Sequence, residues 1–194
     1  MLLKWFMLIF LSLLTYAHPV MWKGAQDYSV RYSDSLSDFY AYYTLSRYTA
    51  VGFHINDSIE RNTGVYAHVN RRLFRKNTNG AQQNVYGLLG LGVQDSDPAI
   101  HSSIEWDWES QKYFLSVKGM GYTTGSTGIR ARLGFAPYVA DFSDLHTWLM
   151  VEYESSNSLK PYTTLTPIIR LFKGEYLMEV GIGSRSFLTV MVHF

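Results

Sequence analysis

The chain has 194 residues, of which 16% are aromatic and only 17% charged, with a formal net charge of +1. That length suits one domain or one barrel, and the near-neutral balance offers no basic field for nucleic acid. The absence of cysteine excludes a disulfide framework, a thiolate metal site and a lipidated cysteine anchor.

In chain order, Met1 to Lys4 carries one positive charge and Trp5 to Leu14 is apolar apart from Ser12. The stretch "LTYAHP" follows, with Thr15 and Ala17 placed like the small residues of a cleavage site. About ten apolar residues are too few to cross a bilayer as a helix, but they match a secretory signal peptide. Residues 1–17 are therefore expected to be removed near Ala17, leaving 18–194 as the mature domain. No later apolar run is long enough for a membrane helix, so a membrane form would have to be built from strands.

The remainder reads as strand after strand, with no sustained 3.6-residue period. Twelve candidate strands follow from pattern and turn residues. The first six are Asp27–Ser33, Phe39–Ser46, Thr49–Asn56, Gly64–Arg75, Asn84–Gln94 and Ile100–Glu109. The second six are Tyr113–Tyr122, Gly128–Tyr138, Leu145–Glu154, Tyr162–Phe172, Glu175–Gly183 and Phe187–Phe194. Turn-rich clusters such as "KNTNGAQQ", "DSDPA" and "TTGSTG" separate them. Most exceed the five or six residues usual in soluble sheets and approach the roughly 9–11 residues that a tilted strand needs to cross a bilayer. Ten strands would result if the first hairpin did not pair.

Each strand has one apolar and one polar face. Ile104, Trp106 and Trp108 alternate with Glu105, Asp107 and Glu109; Tyr113, Leu115 and Val117 alternate with Ser116 and Lys118. Ile129, Ala131, Leu133 and Phe135 alternate with Arg130 and Arg132, while Val151 and Tyr153 oppose Glu152 and Glu154. Opposite charges on neighbouring strands attract, so these acids and bases are expected to form a lumen charge network. Bulky Tyr40, Tyr42, Trp148, Phe172 and Phe187 point the same way by alternation and would fill part of the lumen. Arg71 falls on the apolar face, where it would have to snorkel from a strand end.

A soluble sandwich alternates too. The export signal, the even strand count and the aromatic positions favour a membrane barrel instead. Trp108, Tyr113, Phe135, Tyr176 and Phe194 would form a girdle at one rim, and Tyr153, with Tyr32 and Phe39, one at the other. The fold expected is all-β, an antiparallel up-and-down transmembrane barrel of about 12 strands.

The ending Leu188, Val190, Val192, Phe194 resembles the C-terminal signature of Gram-negative outer-membrane β-barrels. The resemblance implies recognition of that strand by the barrel-assembly machinery, a place in the outer membrane against lipid and lipopolysaccharide, and a monomer. More weakly, "HPVMWKG" and "GFAPYVADFSDLHTWLMVE" are similar to an uncharacterised family of small outer-membrane proteins met among copper and heavy-metal resistance functions. That family lends no activity or cofactor.

Barrel enzymes that modify lipids resemble one another in pairing a serine with a histidine, whose ring activates the hydroxyl. His101 with Ser102 or Ser103 is the candidate pair here, although no histidine stands in those enzymes' patterns. His68 is expected to face inward with Asn70 and Arg72. If cleavage follows Ala17, His18 becomes the first residue, and its amine and imidazole together could chelate copper(II). Gly87, Gly90 and Gly92 precede no helix, which excludes a dinucleotide loop; glycine in a barrel strand permits close approach or a bend. These features point to a small channel or a structural envelope protein without catalysis. A lipid-modifying hydrolase and a metal-linked envelope protein are the alternatives.

Overall fold

A computed structural model describes residues 20–33, 36–58, 63–141, 143–158 and 160–194. The expected signal peptide 1–17 and His18 lie outside the described residues. Among the described residues the regular elements are twelve strands. They are β1 (Gln26–Ser33), β2 (Leu36–Ser46), β3 (Thr49–Ser58), β4 (Gly64–Thr78), β5 (Ala81–Gln94) and β6 (Asp97–Ser110), then β7 (Tyr113–Tyr122), β8 (Thr127–Phe135), β9 (His146–Ser156), β10 (Tyr162–Lys173), β11 (Tyr176–Gly181) and β12 (Phe187–His193). Each pairs antiparallel with its chain neighbours, and β1 closes on β12 from Asp27↔His193 to Ser33↔Phe187. The first hairpin pairs fully, from Gln26↔Tyr43 to Ser33↔Leu36, so the count is twelve rather than ten. Closure within one chain leaves no sheet edge for a second copy to complete.

Several strands differ in length from the sequence expectation, each for a local reason. β4 and β5 run on to an Asn79–Gly80 turn with Gly80 at φ 88°, because Asn-Gly closes a two-residue hairpin. β6 starts at Asp97, since Asp95 and Ser96 both take positive φ and turn the chain in two residues. β8 stops at Phe135, two residues before Pro137, which lacks the N–H a strand would need. A bulge at Leu73 shifts register between Arg72 and Phe74. It leaves both Leu73 and Phe74 on the outside, where strict alternation would have turned the phenylalanine inward.

The burial pattern is that of a water-soluble sheet turned inside out. Among the described residues, the buried positions include Glu152, Glu179, Arg170, Asp107 and five histidines, whereas Val117, Leu133, Leu149, Leu165 and Ile169 stand exposed on the outer face. Charged side chains are almost never buried unless paired, and an apolar band around a closed barrel is what a bilayer requires. The outer aromatics fall in two groups. Tyr113 and Phe135 pair across β7 and β8 with ring centroids 5.7 Å apart. They share the end that carries both chain termini with Tyr176, Phe194 and the half-buried Trp108, while Tyr32 and Tyr153 occupy the opposite end. Arg71 is also outward, but it pairs with Thr49 beside the β2–β3 turn and so sits at a rim despite its central place in β4.

The residues before β1 add something that strand patterns do not show. Val20 is fully buried against Tyr42, Ala50, Tyr86 and Leu88. Gly24 N donates to Thr44 O, and Thr44 N to Ala25 O. Residues 20–25 therefore fold across the mouth of the barrel at the termini end and narrow it.

Candidate functional site

The lumen divides into two chemically distinct halves. One is an arginine–glutamate network borne by β8 to β12 and β1. Arg130 and Arg132 on β8 pair in register with Glu154 and Glu152 on β9. Arg132 Nη2 lies 2.6 Å from Glu152 Oε2, and Arg130 Nη2 lies 3.1 Å from Glu154 Oε1. Glu179 on β11 takes Arg170 Nη2 at 2.6 Å and Arg132 Nη1 at 3.2 Å. Arg31 reaches across from β1 to Glu152 at 2.8 Å and Glu154 at 3.7 Å. Its guanidinium also lies 3.7 Å from the centre of the Phe187 ring, an attraction that holds it against the wall.

The Arg31–Glu152 contact spans the lumen rather than a strand pair. Twelve strands spaced about 4.8 Å apart and tilted about 40° close at a backbone radius of about 12 Å. A circular section of that radius would be about 24 Å across, more than an arginine and a glutamate can bridge, so their contact between β1 and β9, four strands apart around the wall, marks a place where the lumen is narrowed. The network is thus a polar constriction with the strand register as its scaffold. Of the charges expected to join it, Arg130, Arg132, Glu152 and Glu154 do so. Lys118 pairs instead with Glu105, its register partner, at 3.4 Å. Asp107 accepts from Asn84 Nδ2 at 2.7 Å, and Asn84 Oδ1 accepts from Arg75 Nε at 2.6 Å. Glu109 is buried further along the same face of β6. Arg31, Arg170 and Glu179 also face the lumen by alternation, but their membership of this network is not legible in the sequence, because pairing across a barrel depends on strand heights that alternation does not give.

The other half is a histidine–tyrosine cluster on β2 to β7, toward the end remote from the termini. Two rows of cross-strand partners build it. Tyr40, His54 and Tyr66 are register partners on β2, β3 and β4. Tyr42, Gly52, His68, Gly90, His101 and Tyr122 form the second row across β2 to β7. All three histidines are at most 2% exposed. His54 Nε2 lies 2.9 Å from Asp38 Oδ1, and His68 Nδ1 lies 3.2 Å from the Tyr42 hydroxyl. Tyr40 stacks on His54 with centroids 4.0 Å apart, and Tyr122 on His101 at 4.4 Å.

The proposed His/Ser pair is arranged differently from a nucleophile and its base. His101 points into the lumen, whereas Ser102 lies exposed on the outer face, as successive strand residues must. Ser103 shares the His101 face, but His101 Nδ1 meets His68 Nε2 at 3.2 Å. Between the two halves lies a cavity of about 200 Å³, lined by Arg31, Asp38, Tyr42, Lys118, Arg130 and Glu179 among others. Trp148, fully buried with Phe114, Met150, Ile168 and Phe187, fills space beside it.

No protein-family model matches the sequence, and no curated protein is similar to it at a significant level. Among solved structures, the chain superposes on the KdgM porin with a TM-score of 0.54 at 10% identity, covering 88% of this chain and 98% of that one. The KdgM porin in complex with disordered oligogalacturonate gives a TM-score of 0.53 at the same identity and coverage. LpxR from Salmonella typhimurium overlays at a TM-score of 0.48 and 7% identity, over 88% of this chain and 99% of that one. What is shared with the porin at such identity is the fold, that of an outer-membrane β-barrel.

Proposed function

We propose that this protein is a narrow outer-membrane channel for ions or small polar solutes. The supporting observation is a polar, charge-balanced lumen, with a cavity of about 200 Å³ beside the arginine–glutamate constriction, inside a wall whose outer face is apolar. Carboxylates match the arginines closely, so the pore should discriminate weakly by sign, unlike a ring of one charge. Val20 at one mouth and Trp148 within the wall restrict it to small species. In this reading residues 1–17 export the chain and the C-terminal strand engages the barrel-assembly machinery. Lipid and lipopolysaccharide then cover the outer face of a monomer.

Planar-bilayer recording of the folded protein tests the proposal. Small discrete current steps with weak ion selectivity are expected, and Trp148→Ala should enlarge them. A folded, inserted barrel that gives no steps above background, with or without Trp148, would leave a structural envelope protein as the better description.

A further inference from the structure

We propose that His54, His68 and His101 form a binding site for a divalent transition-metal ion of the zinc type. One ring nitrogen from each of the three lies within 4.8 Å of one from each of the others. Imidazole nitrogen suits zinc, copper and nickel, and three histidines with an open fourth position are a known zinc arrangement. Zinc–nitrogen bonds of about 2.0–2.1 Å at tetrahedral angles put ligand nitrogens about 3.4 Å apart. His68 Nε2 and His101 Nδ1 already stand at 3.2 Å, close to that spacing.

Three further observations support a built site. First, the outer nitrogens of two rings are held by second groups: His54 Nε2 by Asp38 and His68 Nδ1 by the Tyr42 hydroxyl. Metal-bound histidines are oriented in this way. With Nε2 on Asp38, His54 Nδ1 is left buried with no hydrogen-bond partner, a costly arrangement for a polar atom unless something else takes its lone pair. Second, the backbone makes room for the rings. Gly90 is the register partner of both His68 and His101, and a Cβ there would collide with the His68 ring, coming within 2.6 Å of Nε2. The missing side chain lets the two imidazoles meet over β5. Third, the site has an entry path, because Asp38, Tyr40 and Tyr42, which touch His54 and His68, also line the lumen cavity. The inference stands apart from conductance, since a closed lumen could hold the ion equally well.

Titration calorimetry with zinc chloride on the folded, chelator-stripped barrel in detergent tests it. One equivalent per barrel is expected. His68→Gln and His101→Gln should weaken binding by more than the roughly 10–100-fold that an outer-shell change costs, and Asp38→Asn should weaken it within that range. Gly90→Ala keeps all three imidazoles and should still weaken binding by displacing the His68 ring, while His18→Ala should leave it unchanged. Heat-modifiable electrophoretic mobility confirms that each variant is folded. A folded wild-type barrel that takes up no zinc would overturn the assignment, leaving a hydrogen-bonded histidine–tyrosine cluster only. Folded His68→Gln and Gly90→Ala variants that bind as tightly as the parent would overturn it too.

Discussion

Glu152 is the keystone of the lumen constriction, and Glu152→Gln measures what that constriction contributes. The carboxylate is 1% exposed and contacts three arginines: Arg132 at 2.6 Å, Arg31 at 2.8 Å and Arg130 at 3.5 Å. Glutamine keeps the shape and one acceptor, but it turns an amide donor toward a guanidinium donor. Charge-assisted hydrogen bonds contribute about 1.5–3 kcal/mol each, and breaking a buried pair costs about 3–5 kcal/mol. The loss is moderated because each arginine retains a second carboxylate. Arg31 and Arg130 keep Glu154 at 3.7 and 3.1 Å, and Arg132 keeps Glu179 at 3.2 Å. A destabilisation of about 3 kcal/mol is therefore expected, toward the lower end of the range for a broken buried pair. With denaturant slopes of about 1–3 kcal/mol per molar, the urea midpoint should fall by about 1–3 M. Tryptophan fluorescence of the barrel folded in lipid vesicles reads that midpoint. In a salt gradient, the reversal potential of a conducting barrel should move toward anion preference, because the network loses one negative charge. An unchanged midpoint together with unchanged selectivity would refute the claim that this network braces the lumen.

Two further perturbations probe the wall and the proposed assembly signal. Val117, outward and midway along β7, should tolerate arginine poorly: Val117→Arg is expected to cost about 2–4 kcal/mol in vesicle-folding equilibria if lipid covers it. A water-facing position would show a change within about 0.5 kcal/mol, and that result would contradict the bilayer assignment. Phe194 is exposed and meets Tyr28 edge-on with centroids 6.3 Å apart. Phe194→Ala should therefore fold nearly normally from urea in vitro, while the amount assembled in the outer membrane of cells, measured by surface protease protection, drops several-fold. Equal assembly of both chains would remove the terminal aromatic as a recognition element.

The sequence by itself determined what each strand does with its two faces. A period of two turns Glu105, Asp107, Arg130, Arg132, Glu152 and Glu154 to one side and Val117, Leu133 and Val151 to the other, whatever the rest of the chain does. The export signal, the aromatic positions and the even strand count then favour a membrane barrel over a soluble sandwich, and alternation also marks His68 as an inward residue. Alternation, however, carries no information about height. Which inward residues share a level depends on register, on bulges such as that at Leu73, and on the stagger needed to close twelve strands. Only the tertiary structure could bring Arg31 to Glu152, 121 positions apart, or gather His54, His68 and His101 around the space that Gly90 leaves open. It also set Val20 in the mouth of the barrel, a contact no periodicity announces, because it is made by a short irregular segment whose place is decided by the cavity it fills.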